Sequence, residues 1–313
     1  MRYSFLLVLI FPFLGKAQTM VESEDSVIRG DIVLHGTLSL PTKTTASIPL
    51  LILIAGSGPT DRNCNSGAGF KSEAFSKLAK AMAEKNIAVF RYDKRGVGQS
   101  IPNDSKEENV RFDDMVQDCK AIIQHYLQDK RFKRIVVAGH SEGSLVGMLS
   151  VPENCRYVSI AGIADDGGAV LKTQLKGQLG AEKEAICFAK LDSLRSGNSV
   201  SDDDPQLKML FRASVQPYLI SWFKHNPAKI IAELKNPILI INGSNDIQVA
   251  VEQAEKLHKA NLNSKLVVIP NMNHVLIETT ATSKMENMMT YNKAELPLSN
   301  AFIAELAQFI LKN

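Results

Sequence analysis

Three side chains that together can carry out acyl transfer occur in the order serine, aspartate, histidine, each just after an apolar run. They are Ser141, Asp246 and His274. A serine hydroxyl is a weak nucleophile until a base takes its proton, and a histidine base needs a carboxylate to fix its tautomer and stabilise its charged form. The order and positions therefore predict that Ser141 is the nucleophile, His274 the general base and Asp246 the carboxylate partner.

The residues around Ser141 favour that role. Residues 139–143 are Gly-His-Ser-Glu-Gly and directly follow the apolar run at 135–138. A nucleophile held on a sharp turn between a strand and a helix needs small neighbours, which Gly139 and Gly143 supply. The alternative is a glycine-rich turn that contains an incidental serine.

Two members of this set have alternative roles. His274 lies in a polar loop, where a solvent-exposed histidine is the common alternative. Asp246 could instead close an Asx turn through the neighbouring backbone. Other histidines are less suitably placed, because His140 lies within the glycine turn and His125 and His258 lie on predicted helices.

Two backbone N–H groups are predicted to form an oxyanion hole. One belongs to Glu142, the residue after the nucleophile, at the start of the following helix. The other is expected in the loop 55–59, after the first fully apolar run, with Ser57 as the first choice and Gly58 as the second. The alternative for this loop is a turn demanded only by its glycines and proline.

Strand-like and helix-like segments alternate along the chain, which is typical of a largely parallel sheet covered by helices on both faces. Predicted strands cover 26–28, 31–40, 49–55, 87–92, 134–138, 157–161, 237–241 and 265–269. Predicted helices cover 73–85, 111–127, 171–194 and 206–223, with a last helix capped by Asn300. We predict an α/β fold with a helical cap insertion at about 165–235, over the strand ends where such sheets bind ligands.

The first 17 residues are predicted to be a signal peptide. A weakly positive start precedes an apolar run over 5–14 that is too short for a comfortable membrane span, and small residues at 15–17 offer a cleavage site. The alternatives are an uncleaved anchor and a buried N-terminal segment. Cleavage after Ala17 predicts an exported protein, periplasmic or extracellular, without a stable membrane anchor and with residues 18–313 as its domain.

The net charge and the spacing of the cysteines limit the kinds of partner and metal site that we expect. Loss of Arg2 and Lys16 with the signal peptide lowers the formal net charge from +3 to +1, which argues against a nucleic-acid partner. The cysteines show no CxxC spacing, so no metal site is predicted, and neither a disulfide pairing nor an oligomeric state follows from the sequence. They are Cys64, Cys119, Cys155 and Cys187, of which Cys119 is expected to be a buried free thiol on the apolar face of a helix.

With these motifs in order, the chain resembles the α/β-hydrolase superfamily, and most of all bacterial carboxylesterases related to the catalytic domains of prolyl oligopeptidases. The resemblance rests on residues 56–63, 92–100, 139–143, 246–249 and 273–274. It implies the α/β-hydrolase fold and an acyl-enzyme route on a small-molecule ester, with short to medium acyl chains and with no metal or organic cofactor. Position 144 departs from the family, because Ser144 stands where a second glycine is common.

Several side chains near the predicted site have two candidate roles. Arg95 and Glu142 are expected to pair beneath the nucleophile, or else Arg95 or Arg62 binds a substrate carboxylate. Large side chains of the predicted cap either line an acyl or alcohol pocket or pack the cap on the sheet, with packing the expected role of each. They are Met209, Phe211, Tyr218, Trp222 and Phe223.

Two alternative functions remain compatible with the sequence. The first is a serine peptidase, such as an aminopeptidase, that uses the same three residues on amides. The second is a non-catalytic binding protein on a hydrolase fold, against which the complete set of Ser141, Asp246 and His274 argues.

Overall fold

Eight strands join in one sheet in the computed structural model, which describes residues 19–43, 47–67, 69–103 and 106–312. The strands are β1 (Met20–Arg29), β2 (Ile32–Pro41), β3 (Ile48–Ile54), β4 (Asn65–Ser66), β5 (Phe70–Lys71), β6 (Ala88–Tyr92), β7 (Phe132–His140), β8 (Arg156–Ile160), β9 (Ile238–Gly243) and β10 (Lys265–Ile269). Their order in the sheet is β1-β2-β6-β3-β7-β8-β9-β10, and β4 and β5 form a separate small hairpin. The predicted signal peptide lies outside the described residues.

Strand direction divides the sheet into two parts. β2 runs antiparallel to both β1 and β6, whereas every neighbouring pair from β6 to β10 is parallel. The parallel strands β3 and β6 consist of buried residues throughout, since helices cover both faces of the sheet. Together with the flanking helices, this architecture confirms the predicted α/β-hydrolase fold.

Helices provide the two outer layers and the connections. They are α1 (Ala74–Ala83), α2 (Phe112–Leu127), α3 (Glu142–Ser150), α4 (Gly167–Leu175), α5 (Ala181–Arg195), α6 (Lys208–Phe211), α7 (Gln216–Phe223), α8 (Pro227–Glu233), α9 (Val251–Ala260), α10 (Lys284–Met289) and α11 (Asn300–Leu311). One face of the sheet packs on aromatic side chains such as Phe112 and Tyr126 of α2, and the other on Phe75 of α1 and Phe302 of α11. None of the described helices is long and apolar enough to cross a membrane.

The order of the strands determines where a site can form. The chain enters the parallel part at β3, adds β6 on one side of it, and then returns to place β7 on the other side. The connections after β3 and β7 therefore diverge and leave a crevice at the carboxyl ends of these two strands. Ile54, the last residue of β3, lies opposite Gly139 near the end of β7.

Between β8 and β9 the chain forms the five helices α4 to α8. Our two predicted long helices are wrong in detail. The first is divided by Gly177 and Gly180, whose positive φ angles of 75° and 76° are incompatible with a continuous helix. The second is divided at 212–215. There the side-chain amide of Gln216 donates to the carbonyl of Phe211, which would otherwise lack a partner at the end of α6, and to that of Val200.

Two smaller expectations concern the last helix and the cysteines. The last helix is capped by Ser299 rather than Asn300, because the Ser299 hydroxyl accepts a hydrogen bond from the N–H of Phe302 at 3.3 Å. All four cysteines are free, and Cys119 is buried among the apolar residues of α2 as expected. Burial raises the pKa of the Cys119 thiol to about 12.

A buried carboxylate ties the outer strands to the helical layer. Asp118 of α2 is 1% exposed and accepts two hydrogen bonds from Arg95, at 2.9 and 3.0 Å, and one from Arg29 at 3.0 Å. Arg29 ends β1 and Arg95 follows β6, so one carboxylate joins three segments. Bidentate pairs of this kind fix geometry as well as charge.

We expect Asp118→Asn to lower the free energy of unfolding by about 3 kcal/mol, because it removes the buried one of the two carboxylates that pair with the Arg95 guanidinium. The matched substitution Asp31→Asn removes the exposed second partner of Arg95, at 3.3 Å, and should cost less than about 1 kcal/mol. Urea unfolding of both variants measures the difference. Equal losses in the two variants would contradict this role of Asp118.

Candidate active site

Ser141 lies on a strained turn between β7 and α3. Its backbone has φ 55° and ψ −122°, a region that residues other than glycine rarely occupy. The turn is held by a hydrogen bond of 2.9 Å from the N–H of Ser141 to the carbonyl of Ile160 at the end of β8. The serine is thereby held at the carboxyl edge of the sheet, in the crevice between the β3 and β7 connections.

The turn requires glycine at the two positions that flank it. A Cβ atom on Gly139 would lie 2.0 Å from the carbonyl oxygen of Gly143, and one on Gly143 would lie 2.5 Å from that of Ala55. No side chain fits at such distances, so Gly139 and Gly143 allow α3 to approach both β7 and the end of β3. The packing supplies the reason for the spacing of the two glycines around Ser141.

Asp246 and His274 are joined by a hydrogen bond. The Nδ1 atom of His274 lies 2.7 Å from Oδ2 of Asp246, and both side chains are almost fully buried. The other carboxylate oxygen accepts the N–H groups of Gln248 and Val249, at 2.8 and 2.9 Å. The Asx turn that we considered as an alternative for Asp246 is therefore present beside the bond to His274, with a different oxygen serving each.

This bond fixes the tautomer of His274. Because Nδ1 donates to a carboxylate, the neutral ring carries its proton there and leaves Nε2 as an acceptor. Within the described residues, neither this Nε2 nor the Ser141 hydroxyl has a hydrogen-bond partner. A general base needs such an unoccupied nitrogen, and hydrogen bonds to a nucleophile commonly tighten only when substrate binds.

His140 connects the nucleophile turn to the histidine loop, a role that we did not predict. Its Nε2 donates to the carbonyl oxygen of His274 at 2.8 Å, and the two rings lie 4.6 Å apart. Burial, with the nearby His274 as a second cause, lowers the pKa of His140 to about 3, so its ring is neutral at physiological pH. His140 thus holds the backbone of the loop without adding a second charge beside His274.

Two asparagines shape the same loop. Asn273 accepts the N–H groups of Val275 and Ile277 and donates to Thr290 at 2.7 Å. Asn287 of α10 donates to the carbonyl of Asn245 at 2.8 Å and also contacts Asn273. The loops that carry Asp246 and His274 are therefore tied to one helix. We did not predict this role of Asn273 and Asn287, because short polar segments such as theirs resemble surface loops in the sequence.

The two predicted oxyanion donors lie on either side of Ser141. Glu142 is the first residue of α3 and directly follows Ser141. A Cβ built on Gly56 would lie only 3.2 Å from Cβ of Ser141, so the loop before Ser57 rests against Ser141. In the described part of the chain, the N–H groups of Ser57 and Glu142 donate to no hydrogen bond. Both are available to a substrate oxygen.

The predicted pairing of Arg95 with Glu142 is wrong. The Arg95 guanidinium points to Asp118 and Asp31, while the Glu142 carboxylate accepts the Tyr218 hydroxyl of α7 at 2.8 Å. The sequence places Arg95 and Glu142 in neighbouring loops but does not show in which direction their side chains point. Arg62, the other candidate for a substrate carboxylate, is likewise engaged, with Asp93 at 2.8 Å and Glu24 at 2.7 Å.

A cavity of about 460 Å³ opens beside the oxyanion loop. Its lining includes Gly58 and Pro59 of that loop, apolar side chains of α2 and of the segments before it, and Tyr218 with Val215. Of the large cap residues considered above, Tyr218 lines this cavity. The others pack or point outward, with Phe211, Trp222 and Phe223 buried and Met209 77% exposed.

Known proteins resemble this chain over most of its length. A family model described as serine aminopeptidase, S33, matches residues 64–177, just over a third of the chain, which include Ser141. The esterase EstD of Thermotoga maritima is 25% identical over 308 residues, which cover 93% of this chain and 68% of that protein.

Solved structures give the same fold. The esterase Est1E from Butyrivibrio proteoclasticus superposes with a TM-score of 0.60 at 17% identity, covering 92% of this chain and 99% of that one. A proline iminopeptidase from Mycobacterium smegmatis gives 0.59 at 18% identity, covering 92% and 97%. At these identities the structures support the fold alone, and both esterases and a peptidase share it.

We expect the neutral His140 to make stability depend on pH. In the unfolded chain a histidine takes up a proton near its ordinary pKa of about 6.5, but the folded protein does not protonate His140 until about pH 3. The unfolded state therefore binds one more proton between these values, and the free energy of unfolding falls by about 1.4 kcal/mol per pH unit as the pH decreases through this window.

His140→Gln, which keeps a donor but cannot titrate, should remove this one-proton slope between pH 6 and 4 in urea unfolding. His125→Gln removes an exposed histidine and is the matched control, with the slope of the unmodified protein. Equal slopes in all three proteins would show that His140 is not buried in neutral form.

Proposed function

We propose that this α/β-hydrolase is a serine carboxylesterase that cleaves small esters through an acyl-enzyme. The observation that carries the proposal is the buried 2.7 Å hydrogen bond between Asp246 and His274, formed next to a serine on a strained glycine turn. The esterase relative from Thermotoga maritima, similar over 93% of the chain, supports ester substrates.

The catalytic roles follow from the chemistry of these groups. The Ser141 hydroxyl attacks the ester carbonyl while Nε2 of His274 takes its proton, and the Asp246 carboxylate stabilises the resulting imidazolium. The N–H groups of Ser57 and Glu142 hold the oxyanion of the tetrahedral intermediate. His274 then protonates the leaving alkoxide, and water releases the acid by the same steps in reverse. The route needs no metal or organic cofactor.

A serine aminopeptidase is the second candidate, because the family model and one structural neighbour are named for peptidases. An aminopeptidase must bind a substrate ammonium, usually with a free carboxylate. Among the residues that line the 460 Å³ cavity the carboxylate is Glu107, and it is occupied by Arg212 and Ser214. The other charged side chains of the lining are cations that have partners of their own, so this lining offers a substrate ammonium no free carboxylate and favours a neutral substrate. They are Lys94, Arg95 and Arg212.

We also propose that the enzyme is exported from the cell's interior and carries a cap over its active site. Residues 1–17 are proposed to be a cleaved signal peptide, on the pattern of charge, apolar run and small residues described above. The mature hydrolase of residues 18–313 is then exported to the periplasm or the extracellular space. The segment at about 165–235 is proposed to act as a cap over the crevice. The five helices α4 to α8, which lie within this segment, support the proposal.

Ser141→Ala should reduce the turnover of p-nitrophenyl butyrate by about 10⁴-fold or more, because the nucleophile is lost, and Asp246→Asn by a comparable factor because His274 loses its orienting partner. Steady-state hydrolysis by residues 18–313 measures both. Ser47→Ala changes an exposed serine just before β3; it is the control and should keep full activity.

Aminoacyl p-nitroanilides assayed in parallel test the peptidase alternative. Faster turnover of the anilides than of the ester would reverse our choice of substrate class. A folded protein that turns over neither and does not react with a fluorophosphonate would favour a binding role.

The cavity predicts a change in chain-length preference. Val215 lines it and lies at the start of α7, so Val215→Trp should fill part of it and lower kcat/KM for p-nitrophenyl octanoate by about 10-fold or more, with acetate hydrolysis nearly unchanged. Met209→Trp adds the same ring at an exposed position outside the lining and should have no effect. Identical profiles for both variants would place the acyl chain elsewhere.

A further inference from the structure

Lys94 is a buried lysine that donates to the oxyanion loop. The residue is 5% exposed, and its ammonium donates to the carbonyl oxygens of Gly56 and, at 3.0 Å, of Gly58. These carbonyls flank Ser57 in the segment that rests against the nucleophile. Burying an ammonium is costly, so a lysine held in this way needs a compensating interaction.

The contact with Gly56 acts directly on the proposed oxyanion donor. The carbonyl of Gly56 and the N–H of Ser57 belong to one peptide unit, which is planar and trans. The two groups therefore point in opposite directions, and fixing the carbonyl oxygen fixes the direction of the N–H. A cation on the carbonyl also polarises the peptide and strengthens its N–H as a donor.

The charges around Lys94 leave its ammonium available for this task. In the described part of the chain Lys94 forms no ion pair within 4.0 Å. Burial lowers the pKa of its ammonium, and the nearby Glu142 carboxylate opposes that fall. That carboxylate is itself buried and bonded to Tyr218. Lys94 thus contacts the loop that carries one proposed oxyanion donor, and Glu142 itself carries the other.

We propose that Lys94 is a positioning residue of the oxyanion hole, which holds the Gly56–Ser57 peptide with its N–H directed at the oxygen of the tetrahedral intermediate. The inference rests on the proposed function, because it concerns the transition state of acyl transfer. It adds a group that touches no reacting atom but orients one that does.

The test compares Lys94→Met, which keeps the length of the side chain without the charge, with the unmodified protein on p-nitrophenyl butyrate. We expect kcat to fall by about 100-fold, the loss typical of one oxyanion donor, with KM changed by less than about 3-fold. Inhibition by a trifluoromethyl ketone of matching chain length, which forms a tetrahedral adduct, should weaken in parallel with kcat/KM.

Lys77→Met is the matched control. Lys77 also donates to two backbone carbonyls, those of Ala294 and Leu296, but lies on α1 away from the nucleophile. It should keep kcat and the affinity for the ketone. Thermal unfolding of both variants separates a loss of fold from a loss of transition-state binding.

Each outcome supports or overturns the inference. If the unmodified protein cleaves the ester and folded Lys94→Met has the same kcat, the role of Lys94 is overturned and the proposed function stays intact. An unmodified protein without esterase activity rejects both. If Lys94→Met does not fold, Lys94→Gln is the second variant. Its side chain is neutral and shorter, so it should hold the Gly56–Ser57 peptide less firmly and lose at least about 10-fold in kcat. Full activity of that variant would equally overturn the inference.

Discussion

The turn at Ser141 forms only because three stretches of backbone approach one another more closely than any side chain would permit. Gly139 and Gly143 meet across the turn, and Gly143 in turn contacts the end of β3 at Ala55. The pairing of β3 with β7 brings Ile54 level with Gly139, so the two strands must end together. The shared end point of the two strands accounts for three features of the site. They are the strained conformation of Ser141, the entry into α3 and the contact of the predicted oxyanion loop with Ser141.

The loops of Asp246 and His274 depend on the same arrangement from the other side. His140 belongs to the turn, and its ring holds the carbonyl of His274, so the proposed base is positioned partly by the residue before the proposed nucleophile. The neutrality of that ring matters, since a second cation 4.6 Å from His274 would oppose the formation of the imidazolium in catalysis. The environment supplies this neutrality by excluding water from His140.

The features that could be predicted from the sequence are those governed by local pattern. Apolar runs, helical stripes and the glycine spacing predicted α2, the turn at Ser141 and the strands of the large sheet, although β1 is longer than predicted and the hairpin of β4 and β5 was not predicted. The position of His274 after the last strand predicted the loop that meets Asp246. Interactions set by side-chain direction in three dimensions could not be obtained in this way. Arg95 and Lys94 are adjacent, yet one turns to Asp118 on α2 and the other to Gly56 in the oxyanion loop.

The hydrogen bond from Tyr218 to Glu142 has a consequence for how such enzymes diversify. Tyr218 belongs to α7 within the segment between β8 and β9, whereas Glu142 belongs to the nucleophile turn. Replacing that segment with one from another hydrolase would leave a buried carboxyl group without its donor, at a cost of about 1–3 kcal/mol. Exchange of the segment between β8 and β9 by recombination would therefore require a matching donor for Glu142 in the new segment.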